Sequence, residues 1–230
     1  MREARETGLT TLRRLYDDNL FVFATPQPSY WEASAPPAAF ASPPLQRDES
    51  CDVAIIGGGY TGLSAAYHLA RDHGADVRVL EAGHIGWGAS GRNGGFCCVG
   101  GTGLQPRGMI RRFGLDAARA WYRSQVQAVE LVRDLARDED IDVEAFGAAE
   151  VEIAHSPRAF ARLESDHRAM TELLGLDAEL LTRYEVSERI HDSAQQHGAL
   201  ISRPALGLHP LRFCRGLALA ASLRGARLHS

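Results

Sequence analysis

The segment between Cys51 and Leu80 constrains the fold more than any other part of this chain. Its apolar run, CDVAII, ends at three glycines, and a pattern with apolar residues at helical spacing follows directly as far as His73. Gly74 stops this helix, and DVRVL then returns to strand character. Strand, tight turn, helix and strand within about 30 residues form a βαβ unit, whose two strands are parallel. Because the first strand is short, apolar and rich in residues that favour β-structure, we expect it to be covered on both faces.

The turn between the first strand and the helix carries the spacing G-x-G-x-x-G, at Gly57, Gly59 and Gly62. The first glycine allows a tight turn, the second lets a pyrophosphate approach the backbone, and the third lets the helix pack close to the strand. The pyrophosphate then lies on the free N–H groups and the positive dipole end of the helix. Glu81 closes the second strand, where an acid accepts hydrogen bonds from a ribose diol and repels the 2′-phosphate of NADP. The sequence therefore predicts a dinucleotide site, and a glycine-rich turn without a ligand is the alternative.

A second glycine-rich block, GWGASGRNGG, covers residues 86–95. Its small residues let the backbone lie against an extended ligand, and Ser90 and Asn93 can hydrogen-bond ribityl or phosphate oxygens. Arg92 either offsets the pyrophosphate charge or forms a structural ion pair. A nicotinamide-binding Rossmann domain seldom needs such a second loop, whereas a flavin lying along its protein does. The block favours FAD, and an ordinary surface loop is the alternative.

The remaining periodicities predict further helices and short strands. A helix over 115–138 has an apolar stripe that includes Leu131, Val132 and Leu135, and strands follow at 143–146 and 150–154. A helix over 157–174 has Ser156 as its N-cap, and a short helix begins near Thr182. His209-Pro210 begins a last helix, which Gly225 ends, and ARLHS is a strand. Residues 25–50 are rich in Pro, Ser and Ala. They predict either an extended arm that Tyr30 and Trp31 attach to a domain surface, or a disordered leader.

Composition and charge exclude several classes of function. The chain has 230 residues and a formal net charge of −4, so no basic excess is present to neutralise nucleic acid phosphates. The four cysteines, Cys51, Cys97, Cys98 and Cys214, lack CxxC spacing, and we interpret them as reduced thiols of a cytoplasmic protein. No apolar stretch reaches the ~20 residues that span a bilayer. We expect no nucleic acid partner, no metal site and no membrane span.

The two glycine-rich blocks, with their order and spacing, resemble those of the FAD-dependent amine and amino-acid oxidoreductases of the D-amino-acid-oxidase-like superfamily. The resemblance rests on GGGYTGLSAAYHLA, VLEAG and IGWGASGRNGG. Within that group the chain is most similar to the γ-glutamylputrescine oxidoreductase type, through PSYWEAS, GASGRNGG and LGLHPLRFCRGLALAA. The similarity covers the chain from about Ser29 onward.

This resemblance implies an α/β fold: a Rossmann-type FAD-binding domain with an incomplete parallel sheet, and the start of an α+β substrate domain. Residues 1–50 would form an N-terminal arm, 51–140 the FAD-binding Rossmann region, 141–205 a partial substrate domain, and 206–230 an interrupted return to the FAD-binding domain. The turn glycines would hold the pyrophosphate, Glu81 the adenosine ribose, and the second block the pyrophosphate and flavin. The candidate cofactor contacts are Gly57, Gly59, Tyr60, Thr61, Gly62, Glu81, Ala82, Ala89, Ser90, Arg92, Asn93 and Gly94.

The implied reaction removes a hydride from the carbon that bears an amine, passes it to flavin N5 and hydrolyses the imine, so that the substrate is a small amine or amino acid. Family members continue well beyond Ser230, and we expect the chain to be an N-terminal portion of doubtful independent activity. An incomplete parallel sheet leaves an exposed edge, which favours aggregation or pairing with a complementary polypeptide that supplies the rest. His84, His191, His197 and His209 are available, but none is assigned a catalytic role. The alternatives are a non-catalytic nucleotide-binding or interaction module and an NAD-dependent dehydrogenase.

Overall fold

The computed structural model describes Asp17, Val22, Phe23 and residues 28–230. Seven α-helices and eight strands in three sheets make up this part of the chain. The helices are α1 (Tyr30–Ser34), α2 (Tyr60–His73), α3 (Pro106–Phe113), α4 (Leu115–Asp138), α5 (Pro157–Arg168), α6 (Arg183–Arg189) and α7 (Pro210–Leu223). The strands are β1 (Val53–Ile56), β2 (Val77–Leu80), β3 (Phe96–Cys98), β4 (Glu150–Ile153), β5 (Asp177–Leu181), β6 (Ala199–Arg203), β7 (Ala205–Gly207) and β8 (Arg227–His229).

The βαβ unit predicted from the sequence is present and forms the first sheet. β1 and β2 are parallel, with Val53 opposite Val77, and β8 adds to the other side of β2, also parallel. Between β1 and β2, helix α2 ends at Gly74, whose φ of 60° is left-handed and whose N–H donates to the carbonyls of Leu69 and Ala70. The ARLHS strand therefore completes a three-stranded parallel sheet with the βαβ unit.

The prediction that β1 is covered on both faces is wrong. Val53 and Ile55 pack against the core beneath the sheet, but Ala54 is exposed and Ile56 is 81% exposed. On the outer face of β2, Arg78 is buried and forms an ion pair with Glu49 of the arm, which lies over this face. The described residues provide no such cover over β1, which is also an edge strand of the sheet, so an apolar composition alone does not bury it.

The main core lies between the parallel sheet and helices α2 and α7. Leu63 and Tyr67 of α2 and Leu217 and Ala221 of α7 are almost fully buried in one apolar cluster with the inner faces of β2 and β8. The predicted start of α7 is confirmed, because Pro210 is its first residue and Nδ1 of His209 accepts a hydrogen bond from the backbone N–H of Arg212. This core fixes α2, and with it the glycine turn, relative to the strands.

Besides the parallel sheet, the described residues form two antiparallel sheets, with the orders β3-β7 and β4-β6-β5. The predicted strands at 150–154 and helix at 115–138 are confirmed as β4 and α4, although Leu131 of the expected apolar stripe of α4 is exposed. The predicted strand at 143–146 is wrong. Glu144 has a left-handed φ of 49°, which interrupts extended backbone, and only Phe146 forms a bridge, to Gly207.

The predicted helix over 157–174 divides into two parts. Ser156 caps it as expected, its hydroxyl accepting from the N–H of Ala159, but α5 ends at Arg168 and a π-helical turn continues through Leu173. Thr182 and Glu185 form a reciprocal capping box at the start of α6, as expected for a helix near that position. No sequence pattern predicted α1, α3, β3, β5, β6 and β7.

Over residues 28–50 the N-terminal arm packs on the rest of the molecule, as the extended-arm interpretation predicts, with the short helix α1 within it. Residues 1–16, 18–21 and 24–27 of the predicted arm lie outside the described residues. The Trp31 ring lies edge-on to the His209 ring at 4.8 Å, and Ser34 Oγ lies 3.1 Å from His209 Nε2. Tyr30, which we also expected to attach the arm, is 71% exposed. Within the described residues, no helix combines the length and apolarity that crossing a membrane requires.

Candidate cofactor site

Gly57 and Gly62 occupy the positions that a tight turn and a close approach of the helix to the strand require. Gly57 follows β1 with a φ of 102°, a left-handed conformation that favours glycine, and its N–H donates to Leu80 O across the sheet. Gly62 lies in the first turn of α2, where a Cβ would stand 2.1 Å from Gly57 O. The absence of a side chain at Gly62 therefore lets the helix start directly against the turn.

The N-terminus of α2 is open to an anion. Gly59 is its N-cap and has no side chain to cap the N–H groups of Thr61 and Gly62, and the first turn contains no acidic residue. One N–H of this turn is in use, since Tyr60 N donates to Ser90 Oγ at 3.0 Å. The helix dipole and the remaining N–H groups favour negative charge at this point.

Glu81 lies directly after β2, and its carboxylate faces the glycine turn. One carboxylate oxygen, Oε2, accepts from the N–H of Gly58 at 2.6 Å, and the other, Oε1, accepts from the N–H of Gly83 at 3.0 Å. These bonds hold the carboxylate in place and leave each oxygen with a further lone pair for a ligand hydroxyl. Glu81 thus has a structural role in addition to the predicted contact with a ribose.

The second glycine-rich block folds over the turn. Ala89–Gly91 form a 3₁₀ turn, which places Ser90 Oγ next to Gly59, where a Cβ would lie only 2.8 Å away. The amide of Asn93 is used within the block: its Nδ2 donates to the carbonyls of Ala89 and Ser90, and its Oδ1 accepts from Gly95 N. The block is therefore an ordered loop attached to α2, and Asn93 is one of the residues that shapes it.

Arg92 makes no ion pair among the described residues. Its guanidinium lies 4.5 Å from the centroid of the Trp87 ring, and its Nη2 is buried without a hydrogen-bond partner. Trp87 Nε1 is buried and unpartnered as well. Of the two roles considered for Arg92, the structural ion pair is absent among the described residues, and a half-buried guanidinium with one buried, unused donor remains.

These elements enclose a cleft of about 340 Å³ at the carboxyl ends of β1 and β2. The predicted contacts that line it are Gly57, Gly59, Glu81, Ala82, Ala89 and Ser90. Lining residues that sequence analysis missed are Phe23, Ile56, Gly58, Leu80, Trp87 and Gly88. Gly58, Trp87 and Gly88 lie within the quoted glycine-rich blocks, but no local signal marks Phe23.

Six predicted contacts do not line this cleft: Tyr60, Thr61, Gly62, Arg92, Asn93 and Gly94. Tyr60 and Asn93 instead border an adjacent apolar pocket of about 310 Å³ with Phe96 and Phe213. The hydroxyl of Tyr60 donates to Pro210 O at 3.0 Å, and burial raises the pKa of this phenol to about 12. Tyr60 is therefore a neutral hydrogen-bond donor that connects α2 to α7.

The four histidines do not form a cluster in this cleft. His209 is a buried N-cap, and burial holds its pKa below the usual value. His84 Nε2 lies 3.4 Å from Glu32, and His191 and His197 flank the loop before β6. None of the described His, Cys, Asp and Glu side chains form a group that could hold a metal ion.

The cleft fits a dinucleotide on the evidence of its own atoms. Gly57 has a left-handed φ and a Cβ on Gly62 would lie 2.1 Å from the backbone oxygen of Gly57, so these two positions of the turn require glycine, and its backbone stays accessible beside the open helix N-terminus. The buried donors of Trp87 and Arg92 have no acceptor in the part of the chain that the structure describes. Glu81 retains free acceptor capacity for ribose hydroxyls. Pyrophosphate oxygens and sugar hydroxyls are the complementary groups.

Comparison with known proteins shows to which family the chain belongs. Residues 52–230, most of the chain, match the family described as DAO, FAD dependent oxidoreductase. The chain belongs to the DAO family of FAD-dependent oxidoreductases. The cofactor of this family is FAD, which agrees with the flavin predicted from the second glycine-rich block.

Other members of the DAO family give the scale of the similarity. The chain is 34% identical over 207 residues to a gamma-glutamylputrescine oxidoreductase of Escherichia coli (strain K12), covering 87% of this chain and 46% of that protein. Its fold is similar to that of glycine oxidase from Bacillus cereus, with a TM-score of 0.58 and 22% identity over 79% of this chain and 46% of that one. Its fold is also similar to that of L-amino acid deaminase from Proteus myxofaciens, with a TM-score of 0.62 and 22% identity. This match covers 83% of this chain and 40% of that one. The chain thus spans a little under half the length of these DAO proteins.

Proposed function

We propose that the chain forms the FAD-binding part of an oxidoreductase that oxidises the C–N bond of a small amine or amino acid by hydride transfer to the flavin. The observation that carries this proposal is the cleft at the ends of β1 and β2, where the glycine turn, an uncapped helix N-terminus and Glu81 meet. FAD would supply the two-electron oxidising chemistry of the reaction. The substrate class is supported by relatives that include a gamma-glutamylputrescine oxidoreductase, over the length that the chain shares with it.

The residues of this chain would bind and orient the cofactor. Thr61 and Gly62 offer backbone N–H groups at the start of α2, where the helix dipole favours the pyrophosphate. Glu81, fixed by two backbone N–H groups, would accept hydrogen bonds from the ribose hydroxyls. Tyr60 and Asn93 hold the second glycine-rich loop against α2 and α7, which maintains the shape of the cleft. No residue of the chain is assigned the proton transfers of the reaction.

The substrate side of the site would be completed by polypeptide outside these 230 residues, either continuous with this chain or a separate complementary chain. Three exposed apolar features support this proposal. β1 is an edge strand with Ile56 exposed, and Phe96 and Phe146 are largely exposed on the β3-β7 side of the molecule. Such surfaces are normally covered in a stable fold. We place the protein in the cytoplasm because its four cysteines are free and no Cys pair forms a disulfide.

A visible spectrum tests the cofactor assignment directly. The purified chain is mixed with FAD, desalted, and scanned; retention of a two-band flavin spectrum at near-stoichiometric amounts is expected. Glu81→Ala, which removes the ribose acceptor, should retain far less flavin, and NAD should not displace the bound FAD. Anaerobic addition of amines or amino acids then tests oxidation, since bleaching of the flavin bands requires electron transfer from the substrate. A retained spectrum that no amine bleaches would restrict the chain to binding, and loss of flavin on desalting would remove the proposal altogether.

A further inference from the structure

The N-terminal arm reaches the cofactor cleft at two points. Glu32 of α1 lies 2.8 Å from Arg215 of α7 and 3.4 Å from His84, which belongs to the loop that follows Glu81. Upstream of α1, Phe23 is part of the cleft lining itself. The arm is therefore in contact with both the loop and the wall of the cleft.

Phe23 meets the cleft through Trp87. The two ring centroids lie 4.9 Å apart and edge-to-face, an arrangement favoured by the charge distribution of aromatic rings. On the loop side, Trp87 packs against Gly83, where a Cβ would lie 2.9 Å from the indole. Trp87 is thus held between the arm and the residues next to Glu81, and the two aromatic rings form one wall of the cleft.

The hydrogen-bonding state of this wall points to a ligand. Trp87 Nε1 is buried and has no hydrogen-bond partner among the described residues, although the indole N–H is a donor that is nearly always satisfied when buried. The neighbouring guanidinium of Arg92, 4.5 Å from the Trp87 ring, has a buried unpartnered nitrogen too. The described residues provide no acceptor for these donors, whereas the adenosine and pyrophosphate groups of a dinucleotide carry many.

We infer that Phe23 and Trp87 are cofactor-binding residues, and that the N-terminal arm is part of the FAD site. The Trp87 N–H donates to an oxygen of the adenosine–pyrophosphate half of the cofactor, and the rings of Phe23 and Trp87 pack against it. This half is specified because the same cleft is lined by Gly57, Gly59 and Glu81. The inference rests on the proposed function, that this cleft binds FAD.

Equilibrium binding of FAD to single variants tests the ring packing of Phe23 separately from the hydrogen bond of the Trp87 N–H. The variants are F23A, which removes the arm's ring, and W87F, which keeps a ring but removes the N–H. The control is F113A, since Phe113 is an exposed aromatic residue on α3 outside the cleft. From the energy of one aromatic pair we expect F23A to bind FAD roughly tenfold more weakly, and from the loss of one hydrogen bond we expect about a fivefold loss for W87F. F113A should stay within twofold of the wild type, and ADP, titrated as a competitor, should lose the same factors as FAD.

The outcomes distinguish the inference from the function on which it rests. Failure of the wild-type chain to bind FAD or ADP would refute the proposed function. Wild-type binding with F23A and W87F both within twofold would leave that function standing and overturn the role of the arm. A loss in F23A alone would overturn the indole hydrogen bond. If a variant fails to fold, chymotrypsin cleavage after Phe23 in the wild-type chain provides an independent test, because bound ADP should slow it and an unchanged rate would count against the inference.

Discussion

Replacing Gly62 by alanine tests the close approach of α2 to the glycine turn. A Cβ at this position would lie 2.1 Å from Gly57 O and 3.1 Å from Ile55 Cγ2. The carbonyl oxygen is part of the backbone and cannot rotate away, so α2 must shift by about 1 Å to restore ordinary contact distances. Overpacking of this kind costs about 1–3 kcal/mol, and the better helix propensity of alanine offsets up to about 1 kcal/mol of it. We expect Gly62→Ala to lower the free energy of unfolding by about 1–2 kcal/mol and to weaken FAD binding, because the N–H groups move with the helix.

Gly108 provides a matched control in another helix. It lies within α3, and the nearest atom to a Cβ there would be Leu104 Cβ at 3.8 Å, an ordinary contact. Gly108→Ala should therefore raise the free energy of unfolding by up to about 1 kcal/mol. With a urea m-value of about 2–3 kcal/mol/M, the midpoints of the two variants should differ by about 1 M. A Gly62→Ala midpoint equal to or above that of the wild type would refute the close approach.

Three further predictions concern single side chains. Glu81→Gln keeps one acceptor oxygen but turns an amide towards a backbone N–H, so we expect roughly tenfold weaker FAD binding and a loss of about 1 kcal/mol in stability, measured by flavin titration and urea unfolding. Burial lowers the pKa of His209, so the folded state binds fewer protons than the unfolded state, and stability that is fully present above about pH 6.5 is lost as the pH falls. His209→Asn retains an N-cap acceptor but has no group that titrates in this range. Its thermal midpoint should therefore fall less between pH 7.5 and pH 5 than that of the wild type, and an equal fall would contradict this prediction. Cys214 is fully buried and burial raises its pKa to about 12, so iodoacetamide at pH 8 should leave it unmodified in the native chain and modify it in urea, as peptide mass spectrometry would show.

The parts of the fold that sequence analysis predicted are those fixed by neighbouring residues. The helix boundaries at Gly74, Ser156 and Pro210 depend on φ values and caps that a few adjacent residues decide. Strands β5 and β6 were missed because DAELL and ALISR lack a clean alternation, and their pairing is decided by contacts distant in sequence. The exposure of Ile56 was mispredicted for a related reason. Whether a face of an apolar strand is buried depends on which layer lies over it.

The site shows the same division. The G-x-G-x-x-G spacing and the acid after the second strand predicted the location of the cleft, because the turn and both strand ends are close in sequence. The hydrogen bonds of Glu81 to Gly58 and Gly83 were not predictable, since they depend on side-chain orientation. Phe23 was missed because it meets Trp87 only in the folded chain, and no glycine, cap or periodicity marks it.

Ser90 occupies one of the N–H groups at the start of α2 that a phosphate could otherwise use. Its Oγ accepts from Tyr60 N at 3.0 Å, so one N–H at the start of α2 is used by the protein before any phosphate arrives. A hydroxyl accepts and donates at once, and Ser90 can keep this bond while donating to a phosphate oxygen. We therefore expect Ser90→Ala to lower apo stability by about 1 kcal/mol and to weaken FAD binding about five- to tenfold, measured by urea unfolding and flavin titration. If the phosphate instead displaces Ser90 from Tyr60 N, the variant frees that N–H and binds FAD more tightly than the wild type. An increase in affinity would therefore show that Ser90 competes with the cofactor for the helix N-terminus.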